Sequence, residues 1–217
     1  MQKMRDTAAS RRALIIFARA PELGQVKTRL AAELGADAAL SIYRRLAEKV
    51  ISAVQRTESY SVTVAYTPQS AEQAMREWLG TSVAFRPQSP GDLGERMASA
   101  IAEAISGGAE RVVVTGTDCL DVTATVVEEA FERLADADVV LGPATDGGYY
   151  LIGMSRLHTT LFHDIPWSSP ATLHVTLERA RTGGLSVALL DERRDIDTAD
   201  DWRAWLASSG HHHEECR

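Results

Sequence analysis

Residues 111–120 read R-V-V-V-T-G-T-D-C-L, a short apolar run followed by a glycine and an aspartate. A continuous run of β-branched residues that ends in a turn predicts a strand buried on both faces of a sheet. Such strands are typical of parallel sheets, because helices cover both faces of these sheets. Asp118 follows the strand, and ligands of open α/β sheets bind beyond the carboxyl ends of the strands. This stretch therefore predicts both the fold class and the edge of the sheet that holds a site.

Strands and helices alternate along almost the whole chain. Strands are predicted at 13–18, 61–66, 83–86, 138–141, 149–154 and 186–190. Helical spacing predicts helices over 36–56, 70–79, 95–106, 123–134, 170–181 and 199–207. This alternation predicts an α/β protein with a mostly parallel mixed sheet flanked by helices on both faces. We expect one domain over residues 13–207, with flexible termini at 1–12 and 208–217.

The composition excludes several classes of protein. The chain has 217 residues, a formal net charge of -7 and two cysteines. This length suits one domain with a substantial core. The acidic balance argues against a general nucleic-acid binder, which needs a basic face. No run approaches the roughly 18 apolar residues of a membrane span. The cysteines lack metal spacing, so we expect a cytoplasmic protein in a reducing compartment.

A basic loop follows the first predicted strand and reads A-R-A-P-E-L-G-Q-V-K-T-R-L over residues 18–30. It contains three cations, which are Arg19, Lys27 and Arg29. A glycine-containing loop that leads into a helix can offer backbone N–H groups to a phosphate, and cations neutralise its charge. The spacing of a P-loop is absent. The segment therefore predicts either a phosphate grip or a solvated basic loop.

The loop after the third predicted strand reads P-Q-S-P-G-D-L-G-E-R-M over residues 87–97. Its glycines allow the backbone to approach a flat ring closely, and Gln88 could read the hydrogen-bonding edge of that ring. The alternative is a turn in which Asp92 caps the next helix. The loop predicts a base-binding segment or a structural cap.

Two further strand ends carry single aspartates. Asp118 could hold Mg²⁺, which takes hard oxygen ligands and often keeps waters and substrate phosphates, or it could cap the next helix. Asp146 precedes two glycines, so the backbone around it is open to a ligand. Trp167, in the motif I-P-W-S-S, could pack over a substrate or anchor the core. Cys119 is expected to be a small buried residue, since no histidine partner supports a nucleophile.

A pair of aspartates precedes the last predicted helix, in the segment R-D-I-D-T-A-D-D over residues 194–201. Asp195 and Asp197 alternate along an extended segment, so they face the same side and could serve one cation together. Alternatively, the aspartates only place negative charge at a helix N-terminus. Thr198 and Asp201 form the pattern of a capping box. The pattern predicts a cation site, a helix start, or both.

Six motifs of this chain resemble, in the same order, those of the bacterial glycosyltransferase-like proteins of the GT-A, nucleotide-diphosphosugar transferase superfamily. The motifs are F-A-R-A-P-E-L-G-Q-V-K-T-R-L, G-D-L-G-E-R-M, G-T-D-C-L, G-P-A-T-D-G-G-Y-Y-L-I-G, I-P-W-S-S and D-I-D-T-A-D-D-W. The resemblance covers about residues 13–206. More distantly, the chain is similar to phospholactate guanylyltransferase and molybdenum-cofactor guanylyltransferase. Leu120 departs from the pattern, which usually has proline at this position.

The resemblance implies a Rossmann-like GT-A fold and a transferase that uses Mg²⁺ or Mn²⁺. Its donor would be a nucleoside triphosphate or a nucleotide sugar, and its acceptor a small molecule. The implied reaction is either glycosyl transfer or guanylyltransferase-like nucleotidyl transfer with release of pyrophosphate. A non-catalytic nucleotide sensor is the non-enzymatic alternative. Neither nucleic acid nor a membrane span is expected, and homodimer formation stays open.

The motifs and the chemistry of their residues together predict four sets of site residues. The expected nucleotide-binding residues are Ala18, Arg19, Ala20, Lys27, Gln88, Gly91, Asp92 and Gly94. The expected catalytic residues are Lys27, Arg29, Asp118 and Asp146. The expected metal ligands are Asp118, Asp195 and Asp197. The expected acceptor-binding residues are Gly147, Gly148, Tyr149 and Trp167.

Overall fold

The computed structural model describes residues 11–55 and 58–208. The described strands are β1 (Arg12–Arg19), β2 (Ser61–Thr67), β3 (Ala84–Pro87), β4 (Arg111–Thr115), β5 (Val139–Pro143), β6 (Tyr149–Met154) and β7 (Val187–Leu189). The described α-helices are α1 (Thr28–Leu34), α2 (Ala36–Val54), α3 (Glu72–Leu79), α4 (Leu93–Ser106), α5 (Ala124–Arg133), α6 (Thr172–Thr182) and α7 (Ala199–Ser208). Single turns of 3₁₀ helix lie at Gln69–Ala71 and Thr159–Leu161.

The strands form one mixed sheet in the order β3-β2-β1-β4-β6-β5-β7. Strand β6 runs antiparallel to its neighbours β4 and β5, and every other neighbouring pair is parallel. The predicted α/β class with a mostly parallel mixed sheet is confirmed. Strand β4, which contains the run of three valines before Asp118, lies in the middle of the seven.

The core has a layer on each face of the sheet because strand side chains alternate between the two faces. In β4, Val113 enters one apolar cluster, whereas Val112 and Val114 enter the other. In β1, Leu14 and Ile15 divide between the two clusters in the same way. Helices therefore cover both faces, as the uninterrupted apolar runs predict.

The structure differs from the sequence prediction mainly at α1, which lies in a segment that the sequence presents as a loop. This helix has seven residues, of which only Leu30 is buried, so its apolar pattern is too short to show helical periodicity. The predicted domain limits, 13 and 207, fall inside β1 and α7, and the one-domain assignment stays a prediction. Most of the predicted flexible termini lie outside the described residues.

No helix in the described part of the chain is both long enough and apolar enough to cross a membrane.

Candidate active site at the switch point of the sheet

The site lies where the order of the strands reverses. The chain adds β2 and β3 on one side of β1 and then crosses back, so that β4 pairs with the other side of β1. Loops that follow the two strands at such a switch point form the ligand crevice of open α/β sheets. The loop after β1 carries Lys27 and the loop after β4 carries Asp118. The topology therefore brings two of the predicted site residues together.

Lys27 links both of these loops to the segment before α7. Its Nζ atom lies 2.7 Å from Oδ1 of Asp118, 2.6 Å from Oδ1 of Asp197 and 2.6 Å from the carbonyl oxygen of Ile196. A lysine ammonium has three N–H donors, so each donor has an acceptor here. We call these four residues the Lys27 cluster.

The ammonium of the Lys27 cluster is charged although it is shielded from water. Only 5% of the Lys27 side chain is exposed, whereas the carboxylates of Asp118 and Asp197 are 42% and 39% exposed. Burial by itself would lower the pKa of Lys27, but the charges of the two carboxylates and their hydrogen bonds raise the pKa above its usual value. The cluster is therefore a buried cation under two carboxylates that remain accessible to solvent.

The backbone around the cluster holds its members in place. Lys27 has left-handed dihedral angles, φ 48° and ψ 49°, at the residue that precedes α1. Such angles are uncommon for a residue with a side chain, and residues with them concentrate at functional sites. The N–H of Ile196 donates to the carbonyl oxygen of Asp118 at 2.9 Å, which joins the two acidic segments. The geometry of Lys27 is thus imposed by its surroundings.

Asp195 also borders the Lys27 cluster. Burial is the largest cause that raises the pKa of Asp195 to about 7, and the negative charges of Asp118, Asp197 and Asp146 also raise it. Its Oδ1 atom is buried and has no hydrogen-bond partner among the described residues. Ile196, between the two aspartates, is buried in an apolar cluster with α1, α2 and α7. The segment therefore alternates as predicted: the buried side chain of Ile196 lies between the carboxyl groups of Asp195 and Asp197, which both border the candidate site.

The predicted metal ligands do not form a ready-made metal centre. Within the described residues, no group of three or more His, Cys, Asp or Glu side chains is arranged to hold a metal ion. Asp118 and Asp197 converge instead on the ammonium of Lys27. The donors nevertheless fit Mg²⁺ or Mn²⁺, because all are carboxylate oxygens and the buried Oδ1 of Asp195 is free to accept.

The other predicted nucleotide-binding residues of the first loop are held by Tyr43 on α2. The hydroxyl of Tyr43 accepts from the backbone N–H of Arg19 at 2.8 Å and donates to the carbonyl oxygen of Arg19 at 2.7 Å. Ala18 and Ala20 on either side are buried. Burial raises the pKa of Tyr43 to about 12, which keeps the hydroxyl protonated. The sequence predicted a helix over 36–56 that contains Tyr43, but no local pattern indicates this contact with Arg19.

The predicted catalytic residue Arg29 differs from Lys27 in its exposure. It is exposed in the first turn of α1, whereas the Lys27 side chain is buried at the cluster. Arg29 thus presents its charge to solvent beside the site, and its catalytic role stays a prediction.

The loop before α4 has the structural cap that the sequence allowed. Asp92 accepts a hydrogen bond from the N–H of Glu95 at 2.9 Å, and the Glu95 carboxylate accepts one from the N–H of Asp92 at 2.8 Å. This reciprocal pair is a capping box. Gly91 precedes it with φ 112°, a conformation that favours glycine. The Asp92 carboxylate is engaged with the helix, and its predicted contact with a nucleotide stays a prediction.

Gln88 and Gly94 have packing contacts that the sequence did not indicate. Gln88 is buried, and its Nε2 donates to the carbonyl oxygen of Ala65 at 2.8 Å. A Cβ atom on Gly94 would lie 2.4 Å from the carbonyl oxygen of Phe162 and 2.7 Å from a ring carbon of Trp167. Gly94 thus allows α4 to approach the Trp167 ring. Their predicted nucleotide contacts remain untested.

Three of the predicted acceptor residues, Gly147, Gly148 and Tyr149, lie between β5 and the start of β6, whereas Trp167 lies between the second 3₁₀ turn and α6. Oδ1 of Asp146, whose side chain is exposed, accepts from the N–H of Gly148 at 2.8 Å. The rings of Tyr149 and Trp167 meet edge to face with centroids 6.3 Å apart. The Trp167 Nε1 is buried without a hydrogen-bond partner in the described part of the chain. Trp167 is partly buried and packs against an apolar core cluster, and its contact with an acceptor stays a prediction.

Gly147 is the most constrained glycine of this loop, and we expect Gly147→Ala to destabilise the fold. It has φ 89°, and a Cβ atom would lie 2.2 Å from the carbonyl oxygen of Pro170. Left-handed strain and overpacking against backbone should together cost about 3 kcal/mol. That cost lowers the melting temperature by roughly 6–12 °C for a domain of this size. Thermal unfolding followed by circular dichroism measures the shift.

Gly184→Ala is the matched control for this substitution. Gly184 has φ 67°, but no atom lies within 4 Å of the position that a Cβ would take, so only backbone strain applies. We expect it to lower the melting temperature by roughly 2–4 °C, from a cost of about 1 kcal/mol. Equal losses in the two variants would contradict the steric role of Gly147.

Solved structures with the same fold identify the class of protein. A protein from Desulfovibrio desulfuricans G20, provisionally named a nucleotide-diphospho-sugar transferase, is 32% identical to the chain with a TM-score of 0.88. The alignment covers 94% of this chain and 90% of that chain. With this fold and its strand-end site, the protein is a transferase of the GT-A-like, nucleotide-diphosphosugar transferase class.

The family assignment follows from the sequence itself. Residues 50–169 match the family described as "Uncharacterized protein conserved in bacteria (DUF2064)", and the chain belongs to this family. No functionally curated protein matches the chain.

Two more distant structures share the fold only. One is CMP:2-keto-3-deoxy-manno-octonic acid synthetase complexed with CTP, at 12% identity and a TM-score of 0.60, covering 92% of this chain and 98% of that chain. The other is 4-diphosphocytidyl-2C-methyl-D-erythritol synthase from Anaerococcus prevotii DSM 20548. It has 11% identity and a TM-score of 0.61, covering 92% of this chain and 96% of that chain.

Proposed function

We propose that this protein is a transferase whose donor is a nucleoside triphosphate or a nucleotide sugar, with a divalent cation at the Lys27 cluster. The observation that carries the proposal is the buried ammonium of Lys27 between Asp118 and Asp197 at the switch point of the sheet. A cation next to accessible carboxylates suits a phosphate chain that brings Mg²⁺ or Mn²⁺ with it. The name of the Desulfovibrio relative supports the same donor class.

The carboxylates and the lysine have different roles in this proposal. Asp118 and Asp197, with the unpaired Oδ1 of Asp195, would hold the cation. When bound, Mg²⁺ or Mn²⁺ supplies charge neutralisation for the donor phosphates. Lys27 binds a phosphate oxygen of the donor and stabilises the negative charge that builds up as the leaving phosphate departs. Arg29, exposed in the first turn of α1, adds positive charge beside the site.

Two reactions are compatible with these roles. In nucleotidyl transfer, an acceptor oxygen forms a bond to the α-phosphorus, the bond from that phosphorus to the bridging oxygen breaks, and pyrophosphate leaves. In glycosyl transfer, an acceptor oxygen bonds to the sugar C1, the bond from C1 to the phosphate oxygen breaks, and the nucleoside diphosphate leaves. In either case the acceptor hydroxyl loses its proton to a base or to solvent.

We place nucleotidyl transfer first. The centre of the site holds a buried cation suited to phosphate. Glycosyl transfer would use Asp146 as the base, but Oδ1 of Asp146 already accepts a hydrogen bond from its own loop. A small-molecule acceptor would bind beside this loop, near Gly147 and Gly148.

A thermal-shift panel tests the proposed donor. Each nucleoside triphosphate and common nucleotide sugar is added to the protein with and without Mg²⁺. A donor at about 100 times its dissociation constant adds about 2.7 kcal/mol of stability, which raises the melting temperature by roughly 5–11 °C. Shifts with triphosphates only support nucleotidyl transfer, and shifts with nucleotide sugars only support glycosyl transfer. The proposal fails if none of these compounds shifts the melting temperature.

The products of slow donor hydrolysis test the reaction itself, because water can replace an acceptor. Phosphorus NMR distinguishes a nucleoside monophosphate plus pyrophosphate, expected for nucleotidyl transfer, from a nucleoside diphosphate plus free sugar. The second pair of products would reverse the order in which we place the two reactions.

A further inference from the structure

We propose that Lys27 is a built-in occupant of the divalent-cation site, so that the free protein binds a divalent cation weakly and donor phosphates open the site. The inference rests on the proposed function, because it takes Asp118 and Asp197 as the cation ligands. It adds that the site regulates its own occupancy: cation and donor enter together, and neither binds well alone.

The Lys27 ammonium and an incoming cation compete for the same carboxylate oxygens. Lys27 Nζ lies within 2.7 Å of one carboxylate oxygen on Asp118 and one on Asp197. These are the atoms that would approach a divalent cation. Since the ammonium already offsets one of the two negative charges, a second cation gains less from the carboxylates and is repelled by the ammonium.

Access from solvent to the two carboxylates does not limit the binding of a cation. The Asp118 and Asp197 side chains are 42% and 39% exposed, so a hydrated cation from solution can reach them. The ammonium below them is 5% exposed and has all three N–H donors engaged, the third by the carbonyl oxygen of Ile196. Lys27 therefore limits cation binding by occupying the carboxylate oxygens, and not by blocking access to them.

The Lys27 ammonium needs new hydrogen-bond acceptors before it can move away from the two carboxylates. An ammonium withdrawn from three acceptors leaves its charge without hydrogen bonds, which is costly near a protein interior. Donor phosphate oxygens are acceptors of the right charge, so the donor lowers the cost of moving Lys27. By linkage, a donor that strengthens cation binding is itself bound more tightly when the cation is present, by typically 5–150-fold.

Direct Mn²⁺ titration without nucleotide tests the inference. Free Mn²⁺ is followed by electron paramagnetic resonance for the wild type, Lys27→Met and Lys49→Met. Lys49→Met is the matched control, since Lys49 lies over the Trp205 ring, 4.7 Å from its centroid, on the face of α2 that meets α7. We expect Lys27→Met to bind Mn²⁺ at least about tenfold more tightly than the wild type, which is about 1.4 kcal/mol. Lys49→Met should match the wild type.

The outcomes separate this inference from the proposed function. Equal Mn²⁺ affinities for the wild type and Lys27→Met overturn the inference, and if nucleotides still shift the wild type in a Mg²⁺-dependent way, the proposed function stands. Failure of Lys27→Met to bind Mn²⁺ also overturns the inference. If, in addition, no nucleotide shifts the wild type, the proposed function fails with it.

A second measurement uses the unaltered protein, in case Lys27→Met does not fold. Reductive methylation with formaldehyde labels accessible amines, and peptide mass spectrometry resolves Lys27 from Lys49. We expect slow labelling of Lys27 in the free protein and faster labelling at saturating Mn²⁺, with Lys49 unchanged. Labelling of Lys27 that does not change when Mn²⁺ binding is complete would overturn the inference.

Discussion

Asp118→Asn should abolish the Mg²⁺-dependent stabilisation of this protein by its nucleotide donor. The substitution keeps the shape of the side chain and one carbonyl oxygen but removes the negative charge that would hold the cation. For the wild type, a donor at about 100 times its dissociation constant contributes about 2.7 kcal/mol. We expect the corresponding rise of roughly 5–11 °C in melting temperature to fall to near zero in the variant. Differential scanning calorimetry with and without Mg²⁺ measures the effect.

Asp200→Asn is the control for loss of one acidic charge. Asp200 has an 88% exposed side chain that pairs with Arg203 on α7, close in sequence to Asp197 but outside the Lys27 cluster. Its donor-dependent shift should equal that of the wild type. If Asp118→Asn showed the same Mg²⁺-dependent rise in melting temperature as the wild type, the carboxylate of Asp118 would not hold the cation. The proposed assignment of Asp118 as a cation ligand would then be wrong.

Lys27→Met should weaken donor binding and turnover while it strengthens the binding of the cation alone. A hydrogen bond to a charged group contributes about 1.5–3 kcal/mol, so the affinity for the donor should fall roughly 10–150-fold. Loss of one charged group that stabilises a developing anion typically lowers turnover by roughly 10²–10³-fold. Calorimetric titration of the donor and phosphorus NMR of its hydrolysis measure the two effects.

The opposite directions of these effects make the variant informative. If Lys27 had only a structural role, its substitution would lower the affinity for the donor and for the cation together, because the two carboxylates would no longer be held in place. Lys49→Met again serves as the control, since it removes the same charge from a residue that stacks on Trp205. Unchanged donor affinity in Lys27→Met would contradict the assignment of Lys27 to the phosphate.

Much of the fold was readable because the relevant signals are local. Apolar runs and helical spacing are short-range patterns, and the strands that they predicted lie within a few residues of β1 to β7. The capping box at Thr198 was equally readable, and the cap at Asp92 was one of two readable alternatives, because each joins residues three positions apart. Helix α1 was missed because seven residues with one buried side chain carry no clear period.

The placement of aspartates after strands was also readable from the sequence, and it indicated the candidate site. Asp118 and Asp146 follow predicted strands, and the loops of parallel strands collect at one edge of a sheet. The alternation of Asp195 and Asp197 with the buried Ile196 needed only the period of an extended chain. The packing role of Gly94 was not readable, since it depends on how closely α4 approaches the Trp167 ring.

The sequence by itself determined the α/β class, the positions of the strands and the acidic residues at their ends, because periodicity and turn chemistry act over a few residues. Only the tertiary structure decided that Lys27 lies under Asp118 and Asp197. Lys27 and Asp197 are 170 positions apart in the chain. Their contact depends on the strand order, which puts β1 beside β4, and on the backbone bond between Ile196 and Asp118. That pairing is non-local, so no pattern of neighbouring residues contains it.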